Sequence, residues 1–428
     1  MRQVNESTGS AAAGVRHSFM YVTTLFFAWG FITATIDPLI PAVKSIFSLS
    51  YTEAFLSQFA FFMAYFVVSL PAAMMVERLG AARAILAALT IMIGGCLLFP
   101  LAVAVDTFKL VLLALFVLGS GITLLQVAAN PLAAALGSPD RSHFRLTLSQ
   151  AFNSLGTVLG PLIIGRLILE GGVFAESGGT SLDSRTESLH TIEASFMGVA
   201  LAILLLAAFL WRVRHRIAEA VPDGAIHAGS LIAAFKSKWA TLGALAIFLY
   251  VGAEVCIGSI LINFLVQPEV LGVSHKTATT LILLYWGGAM VGRFVGSAIL
   301  RVAPAGRVLA AAGGCAAALC LVVSQSTGMF AAVAALAVGL FNSIMFPTIF
   351  TLTLLRSSAA TSATSGLLCM AIVGGAVLPL MFARVADLNG IAVAFLVPMV
   401  AYLAIVVFAV VASKVVVAPR SAAFSATH

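Results

Sequence analysis

Long apolar stretches, each ended by a short polar or charged segment, repeat from one end of this chain to the other. Each is about as long as the roughly 20 residues that a helix needs to cross a bilayer core. A barrel strand needs only about 9–11 residues. In hydrocarbon only helices and closed barrels satisfy their own backbone hydrogen bonds, so stretches of this length read as helices. The pattern predicts about twelve membrane-crossing helices, over 19–43, 53–77, 82–104, 108–137, 144–170, 191–213, 238–265, 276–300, 306–325, 328–355, 358–386 and 390–413. The fold class is therefore an all-α membrane protein.

Composition agrees. The chain has 428 residues, 61% of them hydrophobic and 9% charged, with a mean hydropathy of +1.10. Soluble domains carry roughly 25% charged residues. The net charge of +7 does not point to nucleic acid, because the basic residues sit in short loops between apolar runs. Met1–Ser18 is polar and rich in small residues, and the first apolar run is too long for a secretory h-region, so no cleavable signal is expected. The cysteines, Cys96, Cys256, Cys315, Cys320 and Cys369, lie inside apolar runs without ligand-like spacing and read as small buried hydrophobes.

The loops set an orientation. If the N-terminus is cytoplasmic, the inner loops hold Arg78, Arg83, Arg141, Arg145, Arg212, Arg214, Arg216, Arg301, Arg307 and Arg356, while few basic residues fall outside. By the positive-inside rule both termini are then cytoplasmic. Arg166 and Arg293 fall within spans, and Arg293, near a cytoplasmic end, reads as a snorkelling side chain.

The halves repeat. "GTVLGPLIIGR" (Gly156–Arg166) matches "GGAVLPLMFAR" (Gly374–Arg384), and "RLGAAR" (Arg78–Arg83) is echoed by "RVAPAGR" (Arg301–Arg307). Two six-helix halves in parallel, over 19–213 and 238–413, describe the major facilitator architecture. The halves are joined by a basic linker over 214–237 and flanked by cytoplasmic tails over 1–18 and 414–428. The substrate site is then expected at the midplane between the halves. Glu77, Arg78 and Arg83 form an acidic–basic–Gly–basic loop of the kind that latches helix ends in one conformation, or that merely obeys the positive-inside rule.

Polar groups inside the spans narrow the chemistry. "ITATIDPLIP" (Ile32–Pro41) carries Asp37 near the middle of the first run, beside Pro38. A charge at that depth costs about 2.5–3.5 kcal/mol, so it faces the bundle interior or a wet cavity. Together with the backbone break made by Pro38 and Pro41, it reads as a cation or proton site, or as a structural carboxylate. Glu254, on the first helix of the second half, is a second such acid. Gln126 and Asn130 share one helix face, as do Gln150 and Asn153, and Asn342 adds an amide from the second half. Neutral amides donate and accept, which suits an uncharged, hydroxyl-rich ligand; they also join membrane helices. Trp29 and Trp286 lie within spans, where an indole either stacks on a sugar face or marks an interface. The histidines lie in loops, tails or helix ends, with no nucleophile or metal partner at hand, so neither an enzyme nor a metal site is expected.

"FFAWGFITATIDPLIP", "LLQVAANP", "HFRLTLSQAFNSLGT", "YVGAEVCIGS" and "FPTIFTL" together resemble the fucose permease family of sugar:cation symporters. The resemblance covers nearly all twelve helices. It implies uptake of a monosaccharide across the bacterial inner membrane, driven by protons or sodium, with Asp37 matching the family's first-helix aspartate. The fucose permeases carry a glutamate on the fourth helix where this chain has Gln126, and a glutamine where it has Glu254. That combination is more similar to the glucose/galactose branch, with N-acetylglucosamine and fucose carriers as neighbours. The reading is thus a secondary active importer of a neutral hexose, functional as a monomer in the lipid bilayer. Its only cofactor would be the coupling ion, H+ or Na+. A drug or metabolite exporter of the same fold and a non-transporting membrane sensor are the rivals. Asp37 and Glu254 are the coupling candidates; Gln126, Asn130, Gln150, Asn153, Asn342, Trp29 and Trp286 are the sugar candidates.

Overall fold

The computed structural model describes residues 2–34, 51–105, 107–160, 163, 182–220 and 230–415. The first half comprises α1 (Arg2–Thr33), α2 (Tyr51–Leu79), α3 (Ala81–Val105), α4 (Phe108–Ala135), α5 (Ser142–Gly160) and α6 (Leu182–Glu219). After the short α7 (Leu231–Lys236), the second half begins with α8 (Lys238–Leu265), α9 (His275–Ile299) and α10 (Ala305–Gln325). It continues with α11 (Gly328–Asn342), α12 (Met345–Arg356), α13 (Thr361–Met370), α14 (Gly374–Asn389), α15 (Ile391–Ala394) and α16 (Leu396–Lys414). Among the described residues, 10 helices are long and apolar enough to cross a membrane. The spans expected over 19–43 and 144–170 run into residues outside the description, which accounts for the difference from twelve. The outer surface is greasy: Leu205, Phe330, Leu380 and Val407 are each more than half exposed, as lipid-facing side chains are.

Besides short interruptions at Ala371–Val373 and Phe395 in the last two spans, two features depart from the expected spans. The first helix starts at Arg2, well before the apolar run, so the polar N-terminal segment extends the first helix. The tenth span is broken at Ser343–Ile344, between α11 and α12. Pro347 explains the break: it has no N–H to give to the carbonyl one turn back, at Ser343. Four cysteines are buried as expected, and Cys315 is exposed.

Helices within each half pack closely where small residues let backbones meet. A Cβ on Gly156 of α5 would fall on the Phe27 carbonyl oxygen of α1. A Cβ on Gly374 of α14 would fall on the Phe248 carbonyl oxygen of α8. These are corresponding helix pairs of the two halves, and Gly156 and Gly374 are the residues that the sequence repeat superimposes. Between the halves, α2 packs on α13 and α5 packs on α9, again a symmetric exchange of corresponding helices.

Alternate connections gather on one face, which carries Arg78, Arg83, Arg141, Arg301 and Arg356 and is called the basic face below. Two of its arginines serve as helix caps. Arg145 is buried and donates to the carbonyls of Ala133 (3.3 Å) and Ser138 (2.8 Å) at the end of α4. Arg356 donates to the Ala412 carbonyl of α16 at 3.1 Å. A cation there satisfies orphan carbonyls and complements the helix dipole.

Candidate functional site

Two prolines organise the interior. Pro131 in α4 and Pro347 in α12 each leave a carbonyl without its helical donor, at Val127 and Ser343 respectively. Five residues before each proline stands an amide, Gln126 and Asn342. Each amide pairs with a tyrosine from the second helix of its own half. Gln126 Nε2 donates to the Tyr65 hydroxyl, and Asn342 Nδ2 donates to the Tyr285 hydroxyl at 2.9 Å. All four side chains are buried. The halves therefore present matching tyrosine–amide pairs.

Glycines bring α9 against α11 so that the second pair forms. A Cβ on Gly339 would strike the Tyr285 carbonyl oxygen, and one on Gly292 would lie 2.5 Å from the Leu340 carbonyl oxygen. The same close approach places Arg293 beside the helix break. Its Nε donates to the freed Ser343 carbonyl at 3.0 Å. Its Nη2 lies 3.7 Å from Glu254 Oε1, an ion pair in which the two side chains are 14% and 16% exposed. Its Nη1 donates to the Ser154 hydroxyl of α5, in the other half. The expected snorkelling of Arg293 is thus corrected: the freed carbonyl, the acid and the serine hydroxyl turn the guanidinium inward.

Glu254 has a second partner. The Tyr250 hydroxyl, one helical turn earlier, donates to Oε1 at 2.8 Å. The Tyr285 hydroxyl lies 3.5 Å from the Glu254 backbone carbonyl, at the limit of a hydrogen bond. Across the seam, Ser154 gives its own proton to the Gln150 carbonyl at 3.1 Å, and Gln150 Nε2 donates to Asn130 Oδ1 at 3.3 Å. One polar network thus runs from Asn130 and Gln150 in the first half, through Ser154 and Arg293, to Glu254, Tyr250, Tyr285 and Asn342 in the second. Asn130 Nδ2 is buried with no hydrogen-bond partner among the described residues. An unmet donor of that kind costs about 1–3 kcal/mol unless water or a ligand meets it.

The other candidates stand apart from this network. Asn153 donates to the Phe26 carbonyl at 3.0 Å, tying α5 to α1. Trp29 is buried against Phe26, with ring centroids 5.3 Å apart, so it is a core side chain. Trp286 is half-buried and stands edge-on to Tyr285, 5.0 Å between centroids, next to the network. Glu77, Arg78 and Arg83 are exposed around the turn at Gly80 (φ +77°) and make no ion pair with another described residue. Asp37, with Pro38 and Pro41, lies outside the described residues. Sequence reasoning missed Tyr65, Tyr285, Ser154 and Tyr250. Only Tyr250 left a signal, its position one turn from Glu254.

The seam is closed at the basic face. Ser365 Oγ of α13 donates to the freed Val127 carbonyl of α4 at 2.8 Å. His143 Nδ1 meets the Thr351 hydroxyl, whose own proton goes to the Pro347 carbonyl at 2.7 Å, so the imidazole is the donor. The Arg301 guanidinium lies 5.4 Å from the centroid of the Phe144 ring.

Comparison with known proteins follows the same lines. The Major Facilitator Superfamily profile matches residues 21–368. The glucose/galactose transporter of Brucella abortus biovar 1 (strain 9-941) is 44% identical over 393 residues, covering 92% of this chain and 93% of that protein. The L-fucose–proton symporter of Escherichia coli (strain K12) is 30% identical, covering 95% of each. A crystal structure of the transporter FucP in the outward conformation superimposes with a TM-score of 0.83 at 27% identity, over 94% of this chain and all of that one. These relatives are transporters, not enzymes. Their likeness runs through both halves: the chain belongs to the Major Facilitator Superfamily, in the group of its glucose/galactose transporters and L-fucose–proton symporters.

Proposed function

We propose that this protein imports a neutral hexose, glucose or galactose, by proton-coupled symport with alternating access. The observation that carries the reading is the seam-crossing network of neutral amides and tyrosine hydroxyls around Glu254, its one acid among the described residues. Sugar hydroxyls both donate and accept, and Gln126, Asn130, Gln150 and Asn342 offer both functions. Asn130 Nδ2, without a hydrogen-bond partner among the described residues, marks where a hydroxyl would dock. A net negative pocket would favour cations; here Arg293 offsets Glu254 and leaves the centre near neutrality. The relative at 44% identity is named a glucose/galactose transporter, which supports the hexose; the relative named a proton symporter supports the proton.

In this reading Asp37 carries the coupling proton and Glu254 responds to the sugar, while Trp286 flanks the sugar beside Tyr285. Asn153 holds α5 to α1 behind the site, and Trp29 packs beside Phe26 within the core of α1. The basic face is cytoplasmic, with both termini on the cytoplasmic side of the bacterial inner membrane, so closure at Ser365–Val127 and His143–Thr351 leaves the site open outward. The superposition on an outward-conformation structure supports that assignment. One chain holds the whole pathway, so a monomer suffices. Glu77, Arg78 and Arg83 would engage helix ends in the opposite conformation.

The test is radiolabelled glucose uptake into proteoliposomes, with pH and sodium gradients imposed separately. Accumulation driven by the pH gradient alone supports the reading. Accumulation driven by sodium alone overturns the proton, and equilibration without accumulation overturns symport.

A further inference from the structure

Arg293 sits where three structural facts meet, and this inference rests on the transport reading above. A guanidinium within a membrane helix costs about 2.5–3.5 kcal/mol on insertion, so its place needs partners. Two partners belong to its own half. Nε is fixed by the Ser343 carbonyl, which is free only because residue 347 is proline. With the fork so oriented, Nη2 faces Glu254 at 3.7 Å. The third partner, Ser154, belongs to the other half. Ser154 spends its proton on the Gln150 carbonyl and can only accept, so the contact needs a donor from across the seam. Gln150 in turn holds Asn130, a sugar candidate.

We propose that Arg293 is a positioning residue for alternating access: anchored on the carbonyl that Pro347 frees, it couples the state of Glu254 to closure of the seam through Ser154. When the halves part at the basic face, the Ser343 and Glu254 contacts can persist, since all three groups sit in one half. The Ser154 contact cannot. A ligand hydroxyl that draws Glu254 away from Nη2 loosens the guanidinium and weakens the seam. Lysine keeps the charge but not the fork, so it cannot serve the carbonyl, the acid and the serine together.

Spin labels at Arg141→Cys and Val302→Cys, in a background with the native cysteines replaced, report the separation of the halves at the basic face. Both positions are exposed, at the start of α5 and just past the end of α9. The full-length protein in nanodiscs is measured with and without glucose, for the native seam, Ser154→Ala, Arg293→Lys and Arg293→Gln. We expect a mainly short distance in the native protein. Ser154→Ala is expected to raise the long-distance fraction at least threefold. Arg293→Gln is expected to shift the distribution as far or further, with Arg293→Lys between it and native. Distributions unchanged in Ser154→Ala and Arg293→Lys overturn the proposal, even if Arg293→Gln fails to fold. A shift in Ser154→Ala with no effect of glucose or galactose on any variant leaves the positioning role standing and overturns the hexose reading instead.

Discussion

The hydroxyl of Ser365, in one half of the molecule, donates to the backbone carbonyl of Val127 in the other, at 2.8 Å. The acceptor is available because Pro131, one turn on, cannot use it. Removing the hydroxyl leaves a buried carbonyl unmet, at a cost of about 1 kcal/mol to the closed basic face. Ser365→Ala is therefore expected to raise the open fraction about fivefold, read by the same spin-label pair. Pro131→Ala returns a helical donor to Val127, so the effect of Ser365→Ala is expected to shrink in that background. Equal effects in both backgrounds would sink the idea that the proline creates the docking point.

The paired amides predict a symmetric response to truncation. Gln126→Ala and Asn342→Ala each take the amide donor from a buried tyrosine hydroxyl and remove a sugar partner. Each is expected to raise the apparent KM for glucose about tenfold or more, on the scale of about 1–3 kcal/mol for a lost buried hydrogen bond. Tyr65→Phe and Tyr285→Phe, which leave the amides in place, are expected to cost less. Transport kinetics in proteoliposomes decide this; an unchanged KM in Gln126→Ala removes α4 from the sugar site.

The acids separate by role. Asp37→Asn is expected to abolish accumulation against a glucose gradient while preserving glucose exchange across the membrane. Glu254→Gln, which breaks the pairing with Arg293, is expected to slow both. Counterflow and gradient-driven uptake measured side by side distinguish the two patterns. Retained uphill uptake in Asp37→Asn would remove it from coupling.

Helix crossings give a test of stability without transport. Gly156→Ala and Gly374→Ala place a methyl on the backbone carbonyls of Phe27 and Phe248. Forcing the helices apart costs about 1–3 kcal/mol, and both variants are expected to unfold at lower temperature in detergent. Gly94→Ala, where nothing lies within 4 Å of the added methyl, is the control and is expected to unfold no earlier than the native protein.

Much of this was legible in the chain, and the remainder was hidden for identifiable reasons. Hydropathy finds helices because lipid imposes a length, and the span expected over 238–265 coincides with α8. Gly156 and Gly374 were visible as repeat partners, although why both must be glycine needed the crossing helix. Arg293 misled because its depth along a helix says nothing about the side to which it turns. The Ser343 carbonyl that turns it inward lies at the break between α11 and α12, and the proline that frees that carbonyl is a third residue, also remote from Arg293. Tyr65 and Tyr285 looked like ordinary apolar positions, since their amide partners are remote in sequence. Glu254 and Asn342 stand out in the sequence because a polar group in hydrocarbon is conspicuous wherever it points.

The glycine crossings and the seam divide the molecule into stiff and yielding parts. Where α1 meets α5, and α8 meets α14, backbone lies against backbone, and separating them would open gaps that neither lipid nor water fills well. The seam contacts at Ser365, His143 and Ser154 are hydrogen bonds from side chains, for which a water molecule is a near-equal substitute. Opening the basic face therefore exchanges these polar partners for water and leaves its cost mainly to the packing of α2 against α13, while each half keeps its shape. Water entering the cleft is thus a reagent of the conformational change as well as its solvent.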